Sequence, residues 1–323
     1  MLALSMRAAM LGALVAAGCA AQTESHRTDW FQKAAWGVFT HYLADTVAEG
    51  EKTPPEKWNA LVDGFDVAGL AEQLASVGAK YYFITLGQNS GHYLAPNATY
   101  DRLTGIRPSK CARRDLVSDL AAALEPKGIR LLVYLPAGAP DRDPAAMQAL
   151  QWRLGPYPNR KFQVKWEQVI TEWSRRWGRR VNGWWFDGCY WPNIMYRSAT
   201  PPNFSSFAAA ARAGNPDSIV AFNRGVIYPI ISITEQEDYT AGEINEPERV
   251  RCSGRWVDGA QFHMLSYLGV NWGRGPVRFQ PSQVVEWTRK INGKGGVVTW
   301  DVPIQPNGLI PQPFLDQLKM LRK

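Results

Sequence analysis

Histidine and cysteine are scarce, four of each in 323 residues. His26, His41, His92 and His263 are too few and too scattered for a His-rich metal centre. Cys19, Cys111, Cys189 and Cys252 include no close pair, so neither a zinc motif nor a disulfide framework is expected, and no metal or cofactor is implied. No apolar run reaches the roughly 20 residues that span a bilayer. A strong charge of one sign is also missing. The 36 Lys plus Arg against 29 Asp plus Glu leave a net charge of +7 that is scattered along the chain, which argues against a nucleic-acid partner. No internal repeat, low-complexity tract or linker interrupts the chain, and no GxGxxG turn follows its first apolar strand, so a dinucleotide-binding sheet is disfavoured.

What is abundant is aromatic: 14 Trp, 12 Tyr and 12 Phe. Such residues build cores, and beside carboxylates they also line sugar sites. The first 18 residues, MLALSMRAAMLGALVAAG, carry one Arg, an apolar run from Ala8 to Ala17 and small residues before Cys19. This is the pattern of an export signal. Leu14 to Cys19 resembles a lipoprotein cleavage box, with Cys19 as the lipidated first residue and Ala16 where a larger aliphatic residue is usual. The expectation is therefore a periplasmic or outer-membrane-anchored lipoprotein, or a secreted protein, touching membrane only through Cys19.

Short apolar runs alternate with amphipathic stretches along the rest. Strands are expected at Trp36 to His41, Tyr81 to Gly87, Ile129 to Pro136, Gly183 to Gly188, Ser218 to Asn223, Phe262 to Gly269 and Gly295 to Val302. Helices are expected at Val67 to Lys80, Arg114 to Leu124, Lys161 to Trp177, Asn203 to Arg212, Pro281 to Ile291 and Pro311 to Leu321. Pro-rich patches at Lys52 to Lys57 and Ala137 to Asp143 read as loops after strands. Strands apolar on both faces need a parallel sheet under helices. Seven or eight of them over the whole mature chain favour a single-domain (β/α)8-like TIM barrel over residues 27–323, with no C-terminal β-sandwich.

In a barrel, a polar residue at the C-terminal end of an apolar strand points into the active mouth. That singles out His41, Gln88 with Asn89, Asp187, Asn223 with Arg224, and Glu243 in DYTAGE. Two carboxylates from different strands are the minimum machinery for glycoside hydrolysis. Ion pairing or capping is the competing account of Asp187, weakened by its aromatic neighbours Trp184, Trp185, Phe186, Tyr190 and Trp191. For Glu243 the competing account is a solvated acidic loop, since Glu235, Glu237, Glu246 and Glu248 lie close by.

WFQKAAWGVFTHYL, GAKYYFITLGQNSGHY, RRDLVSDLAAALEPKGIRLLVYL, NGWWFDG, FNRG with DYTAGE, and INGKGGVVTWDVPIQPNGLIPQPFLDQLKML follow one another in an order that resembles the α-L-fucosidases of glycoside hydrolase family 29. The resemblance implies a retaining, exo-acting enzyme that removes terminal α-L-fucose from glycans or polysaccharides. It casts Asp187 as nucleophile, Glu243 as acid/base, Arg224 as an orienting cation and His41 as a hydroxyl-binding residue. Gln88 and Asn89 replace the family's His-His pair, with His92 three residues later, and Trp185 and Trp256 join the expected substrate-binding set. Trp184, Trp191 and Trp272 are further candidates for an apolar wall against the sugar's methyl face. An acidic-aromatic pair expected after the first strand has Glu56 with Trp58 as its nearest counterpart. Two other functions compete: a related retaining glycosidase for another sugar, a sulfated one included, and a non-catalytic carbohydrate-binding barrel.

Overall fold

The computed structural model describes residues 26–152, 159–190 and 196–322. The expected signal segment, Cys19 and Trp191 lie outside these residues. Seven parallel strands form one curled sheet: β1 Trp36–Thr40, β2 Tyr81–Thr85, β3 Arg130–Pro136, β4 Val181–Asp187, β5 Ile219–Phe222, β6 His263–Tyr267 and β7 Val297–Val302, in the order β5-β4-β3-β2-β1-β7-β6. The crossover helices α1 Val67–Val77, α2 Leu116–Leu124, α3 Arg160–Trp177, α4 Phe204–Arg212, α5 Pro281–Asn292 and α6 Gln312–Lys319 cover its outer face.

The eighth stave is irregular. Between β5 and β6 the stretch 238–244 runs along both: Asp238 donates its N–H to the Val220 carbonyl at 2.9 Å, and Ile244 donates to Leu265 at 2.9 Å, while Leu265 donates to Gly242 at 2.8 Å. Isolated parallel bridges join Tyr239 to Gln261 and Glu243 to Leu265. The ring is thereby closed into a barrel. Gly242 makes this approach possible, since it has φ +64° and a Cβ there would stand 1.9 Å from the His263 carbonyl oxygen.

Strand alternation explains the continuous apolar runs. Phe39, Phe83, Leu132, Tyr134, Trp185, Ala221, Tyr239, Ala241 and Leu265 pack together inside the barrel, with Phe31 from the short helix Asp29–Ala34 among them. Their neighbours Val38, Tyr82, Ile84, Val133, Trp184, Phe186, Val220 and Phe222 join the helices in the outer core. Both faces are dry, so both alternating sets are apolar. The patch at Lys52 to Lys57 is a correction: the helix Pro55–Asp63 starts within it, with Pro55 at the first helical position, where a missing N–H costs nothing. Among the described residues no helix is long and apolar enough to cross a membrane.

Candidate active site

Strands β1 to β4 and β6, with the irregular stave, converge on a cavity of about 260 Å³ at their C-terminal ends. His41, Gln88, Asn89, Trp185, Asp187 and Glu243 all line it, as do Tyr134 and Trp272. Asp187 is the last residue of β4, so the strand that buries Trp184 and Phe186 outward turns its carboxylate to the mouth. Oδ1 accepts from Asn223 Nδ2 at 2.8 Å and from the Gly188 N–H at 2.8 Å, and Oδ2 accepts from the Tyr134 hydroxyl at 2.6 Å. Gln88 Nε2 donates to that same hydroxyl, and Tyr134 stacks on Trp185 at 5.3 Å between ring centres. Burial first, and the Asp187 charge second, push the Tyr134 phenol well above its usual range, so it keeps its proton and donates.

Asn223 ties the two carboxyl groups together. Its Nδ2 also donates to Glu243 Oε2 at 2.6 Å. Two bonds of 2.8 and 2.6 Å from one nitrogen keep Asp187 Oδ1 and Glu243 Oε2 at most about 5.4 Å apart, the two lengths laid end to end. Asn223 is itself held, accepting the Gly225 N–H at 3.0 Å. Burial, then the Asp187 charge, push Glu243 up to about 8, against the pull of the Asn223 amide. Glu243 thus holds its proton at neutral pH. The other acidic candidates of that loop are elsewhere: Glu237 is buried and accepts the Phe222 and Ile233 N–H groups at 2.8 and 2.7 Å, Glu246 is exposed and pairs with Arg249, and Glu235 is exposed.

His41 meets a partner that the sequence did not single out. Its Nδ1 lies 2.8 Å from Oδ1 of Asp301, on β7, and Asp301 Oδ2 accepts the Gly273 N–H at 2.6 Å. Asp301 is fully buried, and burial raises its carboxyl while His41 opposes the shift. With Nδ1 donating to the carboxylate, Nε2 is the ring nitrogen left for a ligand. The same carboxylate anchors the turn that carries Trp272.

Arg224, His92, Trp256 and the Glu56–Trp58 pair fall outside the cavity. Arg224 is half-buried and forms no hydrogen bond or ion pair among the described residues, and the carboxylates are bridged instead by its neighbour Asn223. His92 is buried in the wall, with Nε2 3.0 Å from the Thr53 carbonyl and its ring against Trp58; burial lowers it to about 4, so it is neutral. Trp256 is 42% exposed at the far end of the barrel, beside His26 and Arg255, because its hairpin precedes the N-terminal end of β6. Glu56 is exposed and Trp58 is core; the loop after β1 offers the cavity Asp45 instead. Of the other wall candidates, Trp184 faces the helices and Trp272 lines the cavity. A neighbouring cavity of about 300 Å³ shares Gln88, Asn89, Tyr134 and Asp187 and extends to Gly138, Asp141, Trp152 and Tyr190.

A family model, Alpha-L-fucosidase, matches residues 52–323. The chain belongs to the alpha-L-fucosidase family. Among curated protein sequences none matches the chain. Among solved structures, the family member is similar to an endo-fucoidan hydrolase from glycoside hydrolase family 107, with a TM-score of 0.71 at 19% identity over 91% of this chain and 53% of that one. It is also similar to the alpha-L-fucosidase AlfC from Lactobacillus casei in complex with alpha-L-fucose product (0.64, 14%, 92% and 97%) and to alpha-L-fucosidase isoenzyme 1 from Paenibacillus thiaminolyticus (0.64, 18%, 91% and 74%). At these identities the likeness shows the shared barrel. The chain spans about half the length of the first of these structures.

Proposed function

We propose that the protein is an exo-acting α-L-fucosidase that works with retention of anomeric configuration. The observation that carries this reading is the Asn223 amide, which holds one oxygen of each of the two carboxyl groups within about 5.4 Å of the other. Retaining enzymes space them at about 5–5.5 Å, whereas inverting enzymes leave roughly 6.5–9.5 Å for a water. Asp187, its charge supported by three donors, attacks the anomeric carbon as Glu243 passes its proton to the departing glycosidic oxygen. Glu243, now ionised, takes a proton from water; the resulting hydroxide attacks the same carbon, and the bond to Asp187 breaks. His41 Nε2 and the Gln88 and Asn89 amides bind ring hydroxyls, and Trp272 offers an apolar face to the methyl group.

The test is a panel of nitrophenyl glycosides differing only in the sugar, followed by NMR of the first product. Turnover confined to α-L-fucoside with α-fucose appearing first is expected; β-fucose as the initial product would sink the retaining reading. The second cavity beside Asp187 favours a rival reading, endo action on a longer chain. Release of oligosaccharides rather than free fucose from a fucose polymer would decide for it. We also propose export, carried by residues 1–18, with lipid on Cys19; incorporation of labelled palmitate that Cys19→Ser abolishes is the outcome expected.

A further inference from the structure

Two guanidinium groups, Arg142 and Arg274, line a cavity whose proposed ligand, a 6-deoxy sugar, carries no charge for them to meet. Both sit on fixed backbone. Arg142 donates its N–H to the Asn89 carbonyl at 3.0 Å, which sets it against the Gln88–Asn89 pair. Arg274 closes a turn in which its carbonyl accepts from Val270 and Asn271 and its N–H returns to Asn271 at 3.0 Å, next to the Gly273 that Asp301 anchors.

Both heads gather at one residue. Arg142 Nη1 lies 3.2 Å from Asp45 Oδ1, and Arg274 Nη2 donates to the Asp45 backbone carbonyl at 2.5 Å. Asp45 Oδ2 is buried and meets neither. Among the described residues Arg274 therefore pairs with no carboxylate, while Arg142 meets Asp45 and also feels the charge of Asp141. Each guanidinium has five N–H donors in a planar fork, and most of these are unused by protein acceptors here. A fork of this kind fits the paired oxygens of a sulfate ester or carboxylate.

We propose that this rim selects fucosyl substrates bearing an anionic substituent, a sulfate ester or a carboxylate, bound by Arg142 and Arg274; the inference rests on the fucosidase reading above. The charge layout also orients the ring. An anion is drawn to the rim and repelled by the Asp187 carboxylate at the floor, which leaves the anomeric carbon facing the two carboxyl groups.

The experiment compares kcat/KM for neutral nitrophenyl α-L-fucoside, its monosulfated forms and a fucoside linked to a uronate, at 20 mM and 300 mM NaCl. The expected result is an anionic-to-neutral ratio of at least tenfold at low salt, shrinking at high salt because exposed charges are screened. Arg274→Gln and Arg142→Gln should each lower that ratio several-fold. Preference for the sulfated or for the uronate substrate names the source of the anion. Turnover of the neutral fucoside with a ratio at or below one, or with a ratio indifferent to both substitutions, overturns the proposal and leaves the fucosidase reading standing. If no fucoside of either kind is turned over, both fall.

Discussion

A carboxamide at position 223 does what a charged group would do badly. An Arg between Asp187 and Glu243 would favour ionisation of both, whereas the Asn223 amide holds the pair close and leaves Glu243 its proton. Asn223→Ala should therefore lower kcat by 100-fold or more, and it should move the alkaline limb of kcat/KM to higher pH. The amide is the one group that lowers the Glu243 carboxyl, so its loss raises it further; a limb that moves down would refute this account. In the native protein that limb should lie near pH 8, and Glu243→Gln should remove it together with activity on poor leaving groups. Glu243→Ala should keep the first step on activated fucosides and be rescued by azide.

The same residue governs stability. Glu243 has a folded-state value near 8 against 4.5 unfolded, so the folded protein binds the proton more tightly and loses stability as pH rises between those values. Glu243→Gln escapes this loss. Calorimetry should show the variant melting above the native protein at pH 9 and level with it at pH 4.

At the scale of loops and strands, the Gln88–Asn89 pair depends on a strut outside the cavity. Lys110 Nζ donates to the Ser90 carbonyl at 3.3 Å and to Asp143 Oδ2 at 2.8 Å, and Asp143 in turn caps the helix Pro144–Leu150 through the Ala146 N–H. Asp143 is almost wholly buried, so removing its partner leaves a charge poorly paired. Lys110→Met should cost about 2–3 kcal/mol of stability. It should also raise KM more than it lowers kcat, since the strut positions hydroxyl-binding amides and touches neither carboxylate; equal effects on both would argue for global damage.

The seven strands could be read in the sequence because both of their alternating faces are buried. The stave at 238–244 could not, since its hydrogen bonds go partly to side chains: Val220 N–H to Asp238 Oδ2, and His263 N–H to the Thr240 hydroxyl. Likewise, Asp187 and Glu243 were legible from their strand-end setting and motif. Asp301 was not, because it sits inside β7 and acts only through residues 260 and 28 positions away. Arg224 and Asn223 are adjacent after the same strand, and only the turn at Gly225 decides which of them enters the site.

For the whole molecule, the order β5-β4-β3-β2-β1-β7-β6 sets a timetable for synthesis. The pairing of Trp36–Thr40 with Val298–Val302 puts the first strand made beside the last. At about 5–20 residues per second, β1 waits roughly 15–50 s on the ribosome for that partner. Throughout that interval the β1 edge of the growing apolar sheet stands bare, a template for pairing with other chains. A nascent chain of this layout calls for a holdase until its last fifty residues emerge. Ribosome-stalled chains ending at residue 290 should recruit one and bind a hydrophobic dye, while chains extended by a spacer past residue 323 should release it; equal recruitment by both would show that the bare edge is harmless.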